Sequence, residues 1–537
     1  MADTRNSKTS RLSSVISVTL CLIASGAIMA AAVWHFHLNG STLYFGDAEA
    51  HLDIARRIVD SRTPGWSQVG TTWLPLPHLL MIPLVRHNWL WTTGLAGGIV
   101  SGACMTLAAG FLFAVIRRLF ASNIAATAAV AVFLLNPNTL YLGSIPMTEP
   151  VFFACLFALL YFTVRFQSTH GWGALLGAAI AALAGTLTRY EAWVLLPFVA
   201  IYILLCGPRK RWLKRLFAAI AFCIVAGIGP AIWLAHNRWY FGDPLYFYRG
   251  PWSALVIQGN APYPGRGNWR VAFQYFTAAG LLIAGIPAMI AGAAGLLLAL
   301  ARRTVWPVVL LALPPLFYVW SIHSSGTPIF IPSLWPHTFY NTRYAMAFLP
   351  LIALGVAALS KFGKYAAALA VVVTFAPTLI QLVSRPAEHS ITWQESDVNS
   401  RVRRQWTERA AAYLRANVEP QDTFLTSFGD LTGIYRSAGI PLRFTLTGDN
   451  DVEWQQAITL PTFFLHTDWA VVLGGDVAQS VIDGIRLHGP RYELEQRIMV
   501  KGAPVIEIYH LVFQRAYEDP LLETTRSEER LPADDGR

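Results

Sequence analysis

The chain has 537 residues, of which 54% are hydrophobic and only 13% charged, and its formal net charge is +10. A soluble domain carries about 25% charged residues, so this composition excludes a water-soluble globule of such length. It also gives no reason to read the positive charge as nucleic-acid binding, because Lys and Arg gather at the cytoplasmic ends of membrane spans.

A helix needs about 20 apolar residues to cross about 30 Å of hydrocarbon, and runs of that kind recur between Val15 and Val383. The first is preceded by Arg5, Lys8 and Arg11 and followed by no small-residue cleavage site, which reads as an uncleaved anchor behind a short segment 1–14. Spans are expected near 15–36, 89–116, 123–141, 150–167, 172–188, 190–206, 216–235, 275–300, 305–322, 344–360 and 364–383. The expected fold class is therefore a polytopic α-helical membrane protein of about 11 transmembrane helices with a C-terminal α/β soluble domain. With the N-terminus cytoplasmic, the compact basic clusters between spans all fall inside: Arg117-Arg118, Arg165, Arg209 to Arg215, Arg302-Arg303, and Lys361 with Lys364. The outer face then receives the loops 37–88, 142–149, 236–274 and 323–343 and everything after about 384. The loop 236–274 departs from the rule, with Arg238, Arg249, Arg266 and Arg270 against Asp243 alone.

Directly after the first run comes Tyr44-Phe-Gly-Asp47-Ala-Glu49-Ala-His51, two carboxylates and an imidazole where the chain leaves the bilayer. From Ala48 to Ser61, Leu52, Ile54, Ala55, Ile58 and Val59 alternate with Asp53, Arg56, Arg57 and Asp60, the pattern of an amphipathic helix lying on the membrane surface with one of the two arginines solvated. The segment Trp73 to Val85 is apolar but short and holds Pro75, Pro77 and Pro83, so it reads as interfacial or re-entrant. The run Gly171 to Cys206 is too long for one span. Thr188-Arg189-Tyr190-Glu191 interrupts it, and two short helices turning at this tetrad keep its charges out of the bilayer centre. The five cysteines, Cys21, Cys104, Cys155, Cys206 and Cys223, lie in apolar runs without metal-ligand or disulfide spacing.

From Arg385 the composition becomes that of a soluble domain, expected over 384–518. Residues 405–417 and 476–487 have helical spacing; 423–427, 443–446, 469–473 and 505–511 have strand character. Residues from 519 are charged and poor in apolar side chains, the composition of a disordered tail. His466, His488 and His510 lack metal-ligand spacing.

The ionisable residues that this topology sends to the outer face are Asp47, Glu49, Glu149 and Glu191, with His51, Arg56, Arg57, His78, Arg86, Arg189 and Arg343. A carboxylate there can take a proton from an attacking hydroxyl, and Arg can hold a phosphate through paired hydrogen bonds. Asp47 and Glu149 are the candidate catalytic residues; Glu49, His51, Arg56, His78, Arg189 and Arg343 are candidate substrate-binding residues. Asp47, Glu49 and Glu149 are also hard oxygen donors of the kind a divalent cation takes, and their spacing does not choose between these uses. Each also has a structural use: Asp47 or Glu149 as a helix cap, Glu49 as a first-turn acid, Arg343 as a cation reaching the headgroups.

An acid motif after the first span, a helix and a Pro-rich segment behind it, the Thr148-Glu149-Pro150 loop, the Leu187-Thr188-Arg189 break and Arg343-Tyr344 opening a late span resemble, in this order, the GT-C superfamily of glycosyltransferases. The nearest pattern is the protein O-mannosyltransferase and lipid A aminoarabinose transferase group, over roughly residues 15–360. The resemblance implies transfer, with inversion, of a sugar from a polyprenyl-phosphate donor at the outer face of the cell inner membrane. It implies a cytoplasmic N-terminus and a periplasmic C-terminal domain. It assigns the base to Asp47, the second acid to Glu149, and phosphate contacts to Arg343 and Arg56. Two departures stand out. Ala48 separates acids that are adjacent in many members, and Leu74-Pro75-Leu76-Pro77-His78 replaces a Glu-Lys-Pro-Pro stretch, leaving His78 or Arg86 in place of the lysine. The implied partners are a lipid-linked sugar donor, membrane lipids and an acceptor that is protein, lipid or glycan. The alternatives are a secondary transporter, although no internal repeat is evident, an assembly factor, and an oligosaccharide ligase using a pyrophosphate-linked donor.

Overall fold

An N-terminal helix runs from Ala2 to Leu38 in the computed structural model, and its apolar part, Ser14–Leu38, has the length of a span. The structure describes residues 2–207, 211–301, 304–363, 390–427, 429, 431–485 and 490–513, with scattered positions between 365 and 375. Among them six helices are long and apolar enough to cross a membrane: Ser14–Leu38, Leu95–Phe120, Glu149–Thr169, Trp212–Phe241, Val305–Ser324 and Thr342–Phe362. A seventh passage is a helix pair, Trp269–Ala284 and Ile286–Ala301, bent by 107°. This replaces the single span expected over 275–300. Gly285 supplies the positive φ of 80° at the bend and Pro287 follows it, so no straight helix can pass through.

Three further expected spans are shorter apolar helices, Asn123–Leu134, Trp172–Thr186 and Glu191–Leu205, of 12, 15 and 15 residues. The last two part at residues 187–190, which hold three of the four tetrad residues; Glu191 opens the second helix. The expected span 364–383 lies largely outside the described residues, and the expected tail from 519 lies wholly outside them.

The chain divides into two compact units, Met1–Asp60 with Pro64–Arg404, and Ser61–Thr63 with Gln405–Arg537. In the first, Leu95–Phe120 packs against the N-terminal helix, Asn123–Leu134 and Glu149–Thr169. Ile286–Ala301 and Leu349–Leu359 approach through Gly292, Gly295 and Gly355, so closely that a Cβ on Gly295 would strike the Gly355 backbone. Small residues of this kind let helices touch where lipid removes the hydrophobic drive. Leu20, Leu107, Ile180, Leu205, Ile224 and Leu297 face outward, as expected of helices apolar all round.

The helix after the first span runs over Gly46–Arg57 and is buried on its charged side as well as its apolar side. It is therefore not a surface helix, and Arg56 and Arg57 are both buried, against the expectation that one is solvated. Burial of Arg56 is met by Asp60 at 2.6 Å, by Asn88 Oδ1 at 2.7 Å and by the Trp91 ring at 4.6 Å. Leu76–Val85 is helical despite Pro83, and its start is tied to the tetrad turn by Leu76 N–H donating to Leu187 O at 2.9 Å.

The second unit carries a five-stranded sheet: β1 (Phe424–Thr426), β2 (Thr445–Leu446), β3 (Trp469–Leu473), β4 (Arg491–Ile498) and β5 (Ile506–Phe513), in the order β2-β1-β3-β5-β4. β2, β1 and β3 are parallel; β5 and β4 are antiparallel additions. The helix Val477–Gly484 begins at Asp476, whose carboxylate accepts from Gln479 N–H at 2.7 Å. Leu425, Ala470, Val472, Ile482 and Tyr509 form its core. Residues Ser61–Thr63 join this unit through Arg62–Glu453 at 2.7 Å and Thr63–Asn450 at 3.1 Å.

Candidate active site

Four segments distant in sequence bring charged side chains together in the first unit. Asp47 stands in the first turn of Gly46–Arg57; the cap position is Phe45, with no side-chain cap, so the Asp47 carboxylate is not used as a cap. Glu149 opens the span Glu149–Thr169, where the positive end of the helix favours an acid. Arg189 lies in the turn between two short helices, with Glu191 two residues on. Arg343 is the second residue of a 3₁₀ turn, Thr342–Phe348.

Arg343 forms an ion pair with Asp47 through Nη2 and with Glu149 through Nε, the latter at 3.1 Å. Arg189 meets the same Glu149 oxygen at 3.0 Å and Glu191 at 2.5 Å, and it donates to Thr148 Oγ1 and the Tyr318 hydroxyl, each at 2.6 Å. The Tyr318 hydroxyl donates in turn to Glu191. Both guanidiniums lie over aromatic faces: Arg343 over Phe45 and Tyr344, Arg189 over Tyr344. The side chains of Glu149, Glu191 and Arg343 are 5%, 4% and 7% exposed, whereas Asp47 is 37% exposed. Asp47 is thus the member of the cluster that faces open space.

Residues 92–233 match a family model described as dolichyl-phosphate-mannose-protein mannosyltransferase. That stretch contains Glu149, Arg189 and Glu191; Asp47 and Arg343 lie outside it. Most of the chain superposes on the crystal structure of ArnT from Cupriavidus metallidurans bound to undecaprenyl phosphate. The TM-score is 0.54, covering 92% of this chain and 97% of that one at 13% identity. Apo ArnT from the same organism gives a TM-score of 0.53, covering 90% and 97%, also at 13% identity. The chain has a GT-C fold. It is a multi-pass membrane protein. No curated protein matches it in sequence.

Around the cluster, the chain places the other candidates as follows. Glu49 pairs with Arg403 at 3.4 Å, and Arg403 donates to the carbonyls of Leu43 and Tyr44 at 3.2 and 2.9 Å, strapping the turn that leads into Asp47. His51 and His78 share a hydrogen bond of 2.9 Å between Nδ1 and Nε2, and His51 packs on Trp73. Burial pushes the His51 pKa down to about 3; Glu149 pulls it partly back, and Arg343 and Arg189 push it further down. His78 is also pushed well below its usual value, by burial and then by His51 and Arg57. The pair is therefore neutral at pH 7. Arg56 is not brought to the cluster: its nitrogens serve Asp60, Asn88 and the Val85 carbonyl.

Asp47, Glu49 and Glu149 do not assemble as a metal-ligand set; among the described residues no three His, Cys, Asp or Glu side chains could hold a metal ion. Sequence reasoning missed Glu395. Its carboxylate accepts from Asn341 N–H and Thr342 N–H, each at 2.8 Å, and from the Thr342 hydroxyl at 2.5 Å, fixing the turn that presents Arg343. It also missed Arg403 and Tyr318. The only available signals were a Glu and an Arg in an otherwise soluble-looking stretch and a Tyr inside an apolar run.

Proposed function

We propose that this protein is a membrane glycosyltransferase that moves a sugar from a polyprenyl-phosphate donor to an acceptor hydroxyl, with Asp47 as the base. The observation that carries the reading is the convergence of Asp47, Glu149, Arg189 and Arg343 from four distant segments, with Asp47 the exposed member. The fold likeness to ArnT and the mannosyltransferase family model support the same reaction class.

On this reading the acceptor oxygen attacks the anomeric carbon and its proton passes to Asp47. The bond from that carbon to the phosphate oxygen breaks, and the polyprenyl phosphate leaves with the electron pair, inverting the centre. Arg343 neutralises the leaving phosphate; preorganised charge of this kind is often the larger contribution to rate. Glu149 fixes Arg343, and Arg189 fixes Glu149. The site faces the outer side of the inner membrane, with the N-terminus cytoplasmic and the second unit periplasmic, in keeping with the basic clusters between spans.

The test is transfer from a labelled lipid-linked sugar by purified Asp47→Asn. Loss of a general base lowers turnover by about 10²–10⁴-fold. Unchanged turnover in a folded variant refutes the role of Asp47.

A further inference from the structure

A second charged feature lies at the other end of the span that Glu149 opens. Phe166 stands 17 residues beyond Glu149 on that helix, about 25 Å along the axis at 1.5 Å per residue. There a cavity of about 810 Å³ opens between the C-terminal end of Glu149–Thr169 and the starts of Trp172–Thr186 and Trp212–Phe241. Pockets of about 300–1,000 Å³ are of ligand size. Phe166, Leu175, Ala221 and Ile224 give it apolar walls, and Arg211, Lys214 and Arg215 are cations on its lining.

These cations are unbalanced. From Pro150 to Gly242 the chain holds a single acid, Glu191, and that acid is engaged by Arg189 and Tyr318 in the cluster. Among the described residues, Arg211 and Lys214 make no side-chain hydrogen bond or ion pair. Arg215 spends one nitrogen on the carbonyls of Leu205 and Gly207, while its buried Nε has no partner. The helix itself adds to the imbalance. Trp212–Phe241 has no acid in its first turn and no side-chain cap, and it carries Lys214 and Arg215 at its positive end, where cations are unfavourable. An anion in the cavity would relieve all of these at once.

The apolar walls say what kind of anion. Trp172, 67% exposed, marks the headgroup level at the mouth. Ile224 and Phe217, also on the lining, are 65% and 63% exposed, so the cavity is continuous with the lipid-facing surface. Basic pockets between transmembrane helices bind anionic headgroups. We propose that this cavity is a binding site for an anionic glycerophospholipid of the leaflet opposite the Asp47–Arg343 cluster. The phosphate sits among Arg211, Lys214 and Arg215, and an acyl chain runs along Phe217 and Ile224. The site stands independently of the transfer reaction.

The experiment uses the full-length protein in phosphatidylcholine nanodiscs titrated with phosphatidylglycerol, with bound lipid read by native mass spectrometry. Phosphatidylglycerol is expected to be retained over phosphatidylcholine. Each cation near a membrane surface contributes about fivefold, so Arg211→Gln with Lys214→Gln loses about 25-fold in apparent affinity. The charge-preserving pair Arg211→Lys with Lys214→Arg keeps the affinity, because Lys and Arg contribute alike on that basis, which separates charge from folding. Equal retention of phosphatidylcholine, or unchanged affinity in the Gln pair, overturns the proposal. So does competition by millimolar inorganic phosphate, which would make this a free-anion site and not a lipid site.

Discussion

Glu395 is a buried acid that accepts three hydrogen bonds from two residues, Asn341 and Thr342, just ahead of Arg343. Asn341 sits at a φ of 54°, a left-handed conformation that needs support. In Glu395→Gln an NH₂ replaces one carboxylate oxygen. If it takes the Oε1 place it faces the Asn341 N–H; if it takes the Oε2 place it faces the Thr342 N–H. Either way one buried backbone donor is left facing another donor, at about 1–3 kcal/mol. That is about 5- to 150-fold in the local opening equilibrium. Hydrogen exchange followed by mass spectrometry on a peptide spanning 339–346 reads this directly, and a peptide across β3 serves as the internal control. Protection should fall in the first peptide and hold in the second. Thr342→Val, which removes the hydroxyl donor alone, should cost only about 1 kcal/mol. Wild-type protection at 339–346 in a folded Glu395→Gln variant would refute the clamp.

Three other outcomes follow from the same structure. His51 is neutral in the folded protein with a pKa near 3, against about 6.5 when unfolded, so the unfolded state binds more protons between these values and stability falls as pH drops through that window. Going from pH 7.5 to 5 should cost about 2 kcal/mol for this imidazole, and His51→Gln should flatten the dependence; an identical slope in unfolding experiments at the two pH values counts against it. Arg189→Lys keeps a charge but loses the planar fork that serves Glu149, Glu191, Thr148 and Tyr318 together, so with three donors for four buried partners it should destabilise by about 1–3 kcal/mol; a wild-type melting curve in detergent would contradict this. Gly295→Ala should drive Ile286–Ala301 away from Leu349–Leu359 at about 1–3 kcal/mol, whereas Gly227→Ala, with nothing within 4 Å of its added carbon, should leave thermal stability unchanged or raised.

Asp47, Glu149, Arg189 and Arg343 were legible in the sequence for one reason: each stands at the edge of an apolar run, where a charge is costly unless it is paired or used. Their mutual pairing was not legible, because it joins residues up to 296 positions apart. Glu395 and Arg403 were invisible because they lie past the last apolar run, in a stretch with soluble composition. The resemblance makes Arg56 a phosphate contact, whereas its i,i+4 spacing to Asp60 is the sign in the sequence of an internal ion pair. The second unit's parallel strands were recognisable as short apolar runs. β4 was not: in Arg491–Ile498 only Tyr492 and Ile498 are buried, and its charged exposed positions look like loop. Its edge position explains the pattern, since only one neighbour, β5, covers it.

The cluster separates into a framework and a working end. Arg189 is engaged at every nitrogen, by two carboxylates and two hydroxyls that take four of its five N–H donors, so it serves to hold geometry. Arg343 is different. Nε is bound to Glu149 and Nη2 to Asp47, while among the described residues Nη1 donates no hydrogen bond. The Glu149 contact is buried on both sides and anchors the guanidinium; the Asp47 contact ends on the exposed carboxylate and is the one that solvent or a ligand can reach. On the proposed reading, an anion arriving beside the exposed Asp47 would compete with it for Nη2 without disturbing the buried bond to Glu149. In the proposed reaction, donor binding would therefore loosen the ion pair that restrains the base, and the framework behind it would keep the phosphate and the base within one guanidinium's width of each other.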